Sequence, residues 1–160
     1  MADNIYLKLD GIPGSATDAG FEKQIVVQSF SFGAGVPVSG GTGNMADRTA
    51  GKASLADVSI TKPLDTATHQ LLNHMLKGKV IPKGTFTFVA ATNNESEKYL
   101  EVTLENIIIS AFQQSSAGDK PSESVSLNYS KIEFSHQVRD EKGSPQPKRV
   151  SYDLKTNKAA

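Results

Sequence analysis

The sequence of 160 residues predicts a mostly β single domain, a β-barrel or two-sheet sandwich with one α-helix and a long extended loop. Three features lead there. Segments of alternating apolar and polar residues recur along the chain, and only one stretch carries helical spacing. Two of the alternating segments, 98–112 and 124–138, exceed the usual strand length, and each moves its apolar set to the other face near its middle. Strands that bend in this way serve two sheets and turn the corner of a barrel or sandwich. The third feature is 33–52, which holds six glycines and almost no large apolar side chain between two strand-like segments. A structureless connection of that length is unusual in a compact domain unless it is functional. The alternative reading of it is a disordered insertion.

Ile5-Tyr6-Leu7-Lys8-Leu9 alternates and reads as the first strand. Residues 10–20 contain Gly11, Pro13, Gly14 and Gly20 and read as a loop. The segment 24–32 is a second strand whose apolar phase is odd at Ile25 and Val27 and even at Phe30 and Phe32. That slip predicts a bulge or bend near Gln28 and Ser29. After the long loop, 55–62 is a strand with Val58 and Ile60 on one face, ended by Pro63. The helix is predicted over 66–77, with Asp65 as N-cap, Leu71, Leu72, Met75 and Leu76 on one stripe, and Gly78 just past the end. Phe86 and Phe88 share a face in a strand at 85–91, and Asn93-Asn94-Glu95-Ser96 is a turn. In 98–112 the phase of Leu100, Val102 and Leu104 is lost at Ile107-Ile108-Ile109. A polar loop with Gly118 and Pro121 covers 113–122. In 124–138 the phase of Val125, Leu127 and Tyr129 gives way to that of Ile132, Phe134, His136 and Val138. Residues 140–148, with Pro145 and Pro147, read as a loop before a last strand at Val150, Tyr152 and Leu154.

Composition narrows the function. Seventeen Lys and Arg balance seventeen Asp and Glu, so no net field steers nucleic acid or an anionic membrane. The basic residues Lys142, Lys148, Arg149, Lys155 and Lys158 are interleaved with acids and lack a set of stacking aromatics. There is no cysteine, which excludes disulfides and thiolate metal sites. The first residues lack a basic n-region and an apolar h-region, so the expectation is a cytosolic chain that leaves the cell, if it does, without a cleaved leader. No apolar run is long enough to span a bilayer as a helix.

The chemical motifs are incomplete. Residues 46–54 read ADRTAGKAS, but a phosphate-cradling loop needs Gly where Ala46 stands and a hydroxyl where Ala53 stands. His69 and His74 lie five apart on the predicted helix, too far round it to hold one ion together. No Gly-x-Ser-x-Gly elbow occurs, and the carboxylates Glu101 and Glu105 fit solvated alternation. No cofactor, metal or catalytic set is expected. A nucleotide-binding enzyme built on the glycine-rich loop is the weakest of the functional readings.

Several segments together resemble the Hcp family, the tube protein of bacterial type VI secretion. They are Tyr6-Leu7-Lys8-Leu9-Asp10-Gly11-Ile12-Pro13-Gly14, Val27-Gln28-Ser29-Phe30-Ser31-Phe32-Gly33, Asp57-Val58-Ser59-Ile60-Thr61-Lys62-Pro63-Leu64-Asp65, Gly78-Lys79-Val80-Ile81-Pro82, Tyr99-Leu100-Glu101-Val102-Thr103-Leu104-Glu105-Asn106 and Glu123-Ser124-Val125-Ser126-Leu127-Asn128-Tyr129-Ser130-Lys131-Ile132. The likeness runs in order over one domain, 5–157, and rests on the order and spacing of these segments. Where the family often has tryptophan, this chain has Phe30, Phe32, Phe134 and Tyr152. The resemblance implies six-membered rings of β-barrel protomers that stack into a tube inside a contractile sheath. The tube is expelled with a spike protein at its tip, and effectors ride in its channel. Strand alternation puts Ser29 and Ser31 opposite Phe30 and Phe32, and the resemblance turns that side toward the lumen and cargo. The loop 33–52 is assigned to contacts between stacked rings, with Val36, Pro37 and Val38 as apolar grip and Asp47 with Arg48 as polar register. The tail-tube protein of a phage or another contractile particle is the alternative.

Overall fold

The structure, a computed structural model, describes residues 3–40, 48–92, 95–139 and 141–160. In chain order its elements are β1 (Asn4–Leu9), β2 (Ile25–Val27), β3 (Ser29–Ser31), β4 (Ala34–Gly35), β5 (Val38–Ser39), β6 (Thr49–Ala50), β7 (Ser54–Leu55) and β8 (Val58–Pro63). They continue with α1 (Thr68–Lys77), β9 (Ile81–Thr92), β10 (Glu95–Ser115), β11 (Ser122–Asn128), β12 (Lys131–Arg139), β13 (Pro145–Asp153) and β14 (Lys158–Ala159). Asn93 and Asn94 of the predicted turn lie outside the described residues.

Two antiparallel layers share β10. One runs β2-β1-β9-β10-β12-β13-β14, the other β10-β11-β8-β3. The sandwich expectation fits better than the barrel, because among the described residues the ladders do not close on themselves. The segment 24–32 bends at Gln28, as its apolar phase predicts, so that β2 pairs with β1 and β3 pairs with β8. Between the two, the Gln28 amide donates to Thr61 O at 2.7 Å.

On the other side of the sandwich, the two long segments turn together. The first half of β10 pairs with β12 and the second half with β11, in one unbroken antiparallel direction. The corner falls at Asn106, where φ is +51°, a value that asparagine tolerates better than most residues. Opposite it, Ser130 donates its amide to Glu105 O at 2.9 Å and accepts from Asn106 Nδ2 at 2.8 Å. Across this corner burial passes from Val102 and Leu104 to Ile107 and Ile109 on one strand, and from Val125, Leu127 and Tyr129 to Ile132 on the other. Ile108 is left 40% exposed. A second irregularity between Ile109 and Ala111 adds twist. The predicted strand 124–138 is thus two strands, β11 and β12, divided where the phase changes.

The core between the layers is apolar and aromatic. Phe30 meets Phe86 and Phe88 edge-on at 5.0 and 5.2 Å, and Phe32 meets Phe134 at 5.0 Å. A smaller cluster lies on the outer face of β1, where residues 10–24 fold back. Tyr6 stacks on Phe21 at 4.4 Å and its hydroxyl donates to Asp18. Tyr129, buried, donates to Ala56 O at 2.7 Å.

Helix α1 starts later than the spacing predicts, at Thr68, and Ala67 at its N-cap makes no side-chain cap. Asp65 accepts instead from the Ala67 amide at 3.0 Å, and its carboxylate also pairs with Lys62 at 2.9 Å. Lys62 is fully buried, lies directly opposite Glu123 in the β8–β11 ladder and meets it at 2.5 Å. Thr68 Oγ1 donates to Glu123 Oε1 at 2.8 Å, and Gln114 Nε2 donates to Oε2 at 2.8 Å. One buried cluster therefore fixes the start of α1 to β8, β10 and β11. At the other end Gly78 takes φ +62° and the amides of Gly78 and Lys79 return to Met75 O and His74 O. The predicted stripe is corrected at Leu76, which is 73% exposed; Leu71, with Ala67, is the buried part.

Residues 145–148 are strand and not loop. Ser151 exchanges both backbone bonds with Ala160 on the outer side of β13. Pro145 and Pro147 share its phase, so the amide hydrogens they lack would have pointed to that same outer edge. The inner bonds to β12 are untouched, and the edge is blunted against further pairing.

Two outcomes follow. Lys62→Met leaves Glu123 and Asp65 without their cation and should cost about 3–5 kcal/mol, read as a lower urea midpoint. Burial, then Asp18, pushes Tyr6 up to about 12, and burial, then Asp57, does the same for Tyr129. Folded values above the ordinary 10 mean that both contributions are intact below pH 10 and are lost as pH rises toward 12. A Tyr6→Phe/Tyr129→Phe chain should show a shallower fall of the urea midpoint between pH 10 and 12, although it starts lower.

Candidate interaction surfaces

The loop 33–52 is a two-stranded ribbon where it is described, which corrects the expectation of a structureless connection. Ala34 and Gly35 pair with Leu55 and Ser54, and Val38 and Ser39 pair with Ala50 and Thr49. The Gly51 amide donates to Pro37 O at 2.8 Å, and the Ser39 and Thr49 hydroxyls meet at 2.8 Å. Its described glycines do not sit at positive φ. Some serve close approach instead: a Cβ on Gly51 would lie 2.7 Å from Pro37 Cγ, and one on Gly40 would lie 2.9 Å from Arg48 Cγ. The root is held by Ala56 N donating to Gly33 O at 2.8 Å, beside the Tyr129 bond. Past Lys52 the chain runs into β7.

Beyond that root, among the described residues, the ribbon's ladders pair only within themselves and join neither layer. Val36 and Val38 are 45% and 57% exposed, and Pro37 and Arg48 are exposed with them. Asp47, assigned with Arg48 to polar register, lies outside the described residues.

Ser29 and Ser31 are exposed while Phe30 turns inward, as strand alternation predicts. The register extends their face. Ser29 opposes Thr61 and Ser31 opposes Ser59; these in turn oppose Ser124 and Ser126. Three strands thus present six short hydroxyl side chains and no charge. Ser29 Oγ lies 2.6 Å from Thr61 Oγ1, and Ser59 Oγ lies 3.3 Å from Ser126 Oγ. The first charge at the margin is Asp57, which accepts from Ser110 Oγ at 2.7 Å and Asn128 Nδ2 at 2.8 Å. Such a face is flat and hydrogen-bonding in both senses, because hydroxyls donate and accept. The outward face of the other layer carries charges, among them Lys98 and Glu101, 3.5 Å apart. Sequence reasoning singled out only Ser29 and Ser31; the other four hydroxyls alternate just as plainly, but only the pairing sets them side by side.

At the foot of the ribbon lies an apolar cleft of about 190 Å³, lined by Phe32, Leu55, Phe134, Val150 and Tyr152 among others. Nothing in the sequence marks it, since its walls come from strands far apart in the chain. On the helix, His74 Nδ1 donates to Gln70 O at 2.8 Å, and His69 is exposed. Among the described residues no group of three His, Cys, Asp or Glu is placed to hold a metal ion, and no helix is long and apolar enough to cross a membrane.

The profile of the family described as "Type VI secretion system effector, Hcp" matches residues 6–136. The chain is 26% identical to "Protein hcp1" of Pseudomonas aeruginosa over 154 residues, 95% of this chain and 94% of that one. A solved structure described as a type six secretion system protein superposes with a TM-score of 0.89 at 24% identity, covering 99% of this chain and 100% of the other. The crystal structure of Hcp1 from Salmonella typhimurium gives 0.79 at 24% identity, with both chains covered in full. Those two likenesses speak for the fold, and the profile match speaks for more: the chain belongs to the Hcp family of type VI secretion proteins.

Proposed function

We propose that this chain is the structural tube subunit of a type VI secretion system and not an enzyme. Six copies close into a ring and rings stack. The stack is assembled in the cytoplasm inside a contractile sheath and expelled behind a spike protein, with effectors carried or sheltered in its lumen. The observation that carries the reading is the presence on one chain of two unlike surfaces: an uncharged hydroxyl face and an apolar-tipped ribbon that joins neither layer. A smooth neutral face suits a channel lining, so Ser29 and Ser31 are assigned to the lumen. A ribbon free of its own body suits contact between stacked rings, where a weak contact repeated around a ring becomes a strong one. The same layout would serve a phage tail tube; membership of the Hcp family favours secretion.

Light scattering after size exclusion should give six times the 17.1 kDa chain mass. A monomer at micromolar concentration and moderate salt contradicts the ring. Replacing residues 36–48 by a tight Asn-Gly turn should leave soluble rings that form no tubes and support no secretion. Normal stacking by that variant would make the ribbon dispensable. Ser31→Gln, which adds bulk to the hydroxyl face without charge, should weaken retention of a co-expressed effector of the same system while ring size stays unchanged. Undiminished retention would remove Ser31 from the lumen.

A further inference from the structure

Among the described residues, nothing fills the apolar cleft at the foot of the ribbon. Its walls are Phe32 and Leu55 on one side and Phe134, Val150 and Tyr152 on the other, and Val150 is 56% exposed. The same molecule carries a second unfilled apolar feature of matching character. Val36 and Val38 are exposed, and Pro37 between them is braced by Gly51, so the ribbon holds both valines in place. The two features are alike in chemistry, and neither Val36 nor Val38 lines the cleft of its own chain. Ala34 lines the cleft, and Val38 lies four extended residues further along the ribbon, a reach of roughly 13 Å. Val36 is only two residues from Ala34 and still stands 45% exposed.

We propose that the cleft is the seat of Val36 and Val38 from a second copy of this chain. The proposal rests on the reading of the ribbon as a contact between copies and names the surface that receives it. Patch and pocket are different surfaces, so the contact is heterologous, the kind that builds rings or stacks and not a closed pair. Residues 36–39 carry no charge, and of the cleft's walls Ser151 and the Tyr152 hydroxyl are the polar parts. The contact is therefore not weakened by salt screening.

The absence of cysteine in the sequence supplies a clean test. Two single-substitution chains, Val38→Cys and Val150→Cys, are co-expressed, purified as assemblies and oxidised. Both positions are more than half exposed, so neither change disturbs the core. A disulfide between unlike chains requires Cβ atoms about 4 Å apart. The expected result is a mixed dimer on a non-reducing gel, at least tenfold more abundant than the product of either chain oxidised alone. Rings and tubes of normal size without that mixed dimer overturn the cleft assignment and leave the tube reading standing. A chain that stays monomeric throughout overturns both.

Discussion

Two neighbouring strands must change the side they bury at the same point, and most of this structure depends on that constraint. On β10 the apolar side chains move from the even to the odd phase at Asn106. On the paired chain they move from odd to even at Ser130. Neither strand could do this alone, because a phase slip in one would turn its partner's apolar residues to water. Asn106 accepts a left-handed backbone and bonds across to Ser130, so the hairpin bends as a unit. The bend makes one strand pair the shared wall of two layers. Everything else, including β8 with β3 on one side and β9 with β1 on the other, is hung from it.

The Lys62 cluster closes one end of that sandwich. An ammonium out of water is tolerated only when carboxylates and further hydrogen bonds replace its hydration. Here Glu123 faces it across the ladder and Asp65 arrives from the turn before α1. Pro63 O at 3.0 Å and Thr68 Oγ1 at 3.3 Å share its third proton. These residues come from two strands and the approach to a helix, so the cluster sets where α1 begins. Asp65 serves this cluster and the amide of Ala67, the residue directly before the helix, which explains why the helix starts later than its N-cap signal suggests.

The outer surfaces divide the work. One layer carries charges outward, as a solvated sheet does. The other shows short hydroxyls and no charge across three strands. The ribbon departs from the body beside that neutral layer, rooted by Gly33, Ala56 and Tyr129. Pro145 and Pro147 blunt the outer edge of β13 against pairing with another chain.

Periodicity alone determined the mostly β class, the single helix, the bend at Gln28 and the two phase changes, because burial on one face of a strand writes itself into every second residue. It also determined that Ser29 and Ser31 face away from the core. The ordered segments resembling the Hcp family were legible as well. What the tertiary structure alone decided involves partners distant in sequence. Whether the layers closed into a barrel depended on which strand each half of 25–31 would join. Pro145 and Pro147 read as loop because their strand role depends on lying at an edge. Leu76 fitted the apolar stripe, but it stands exposed at the end of α1. The glycine-rich segment hid a ribbon, since cross-strand bonds such as Gly51 to Pro37 leave no pattern in composition. The hydroxyl face, the buried lysine and the apolar cleft are all assembled across strands. Sequence order carries the alternation of each strand, and only the pairing between strands decides what stands next to what.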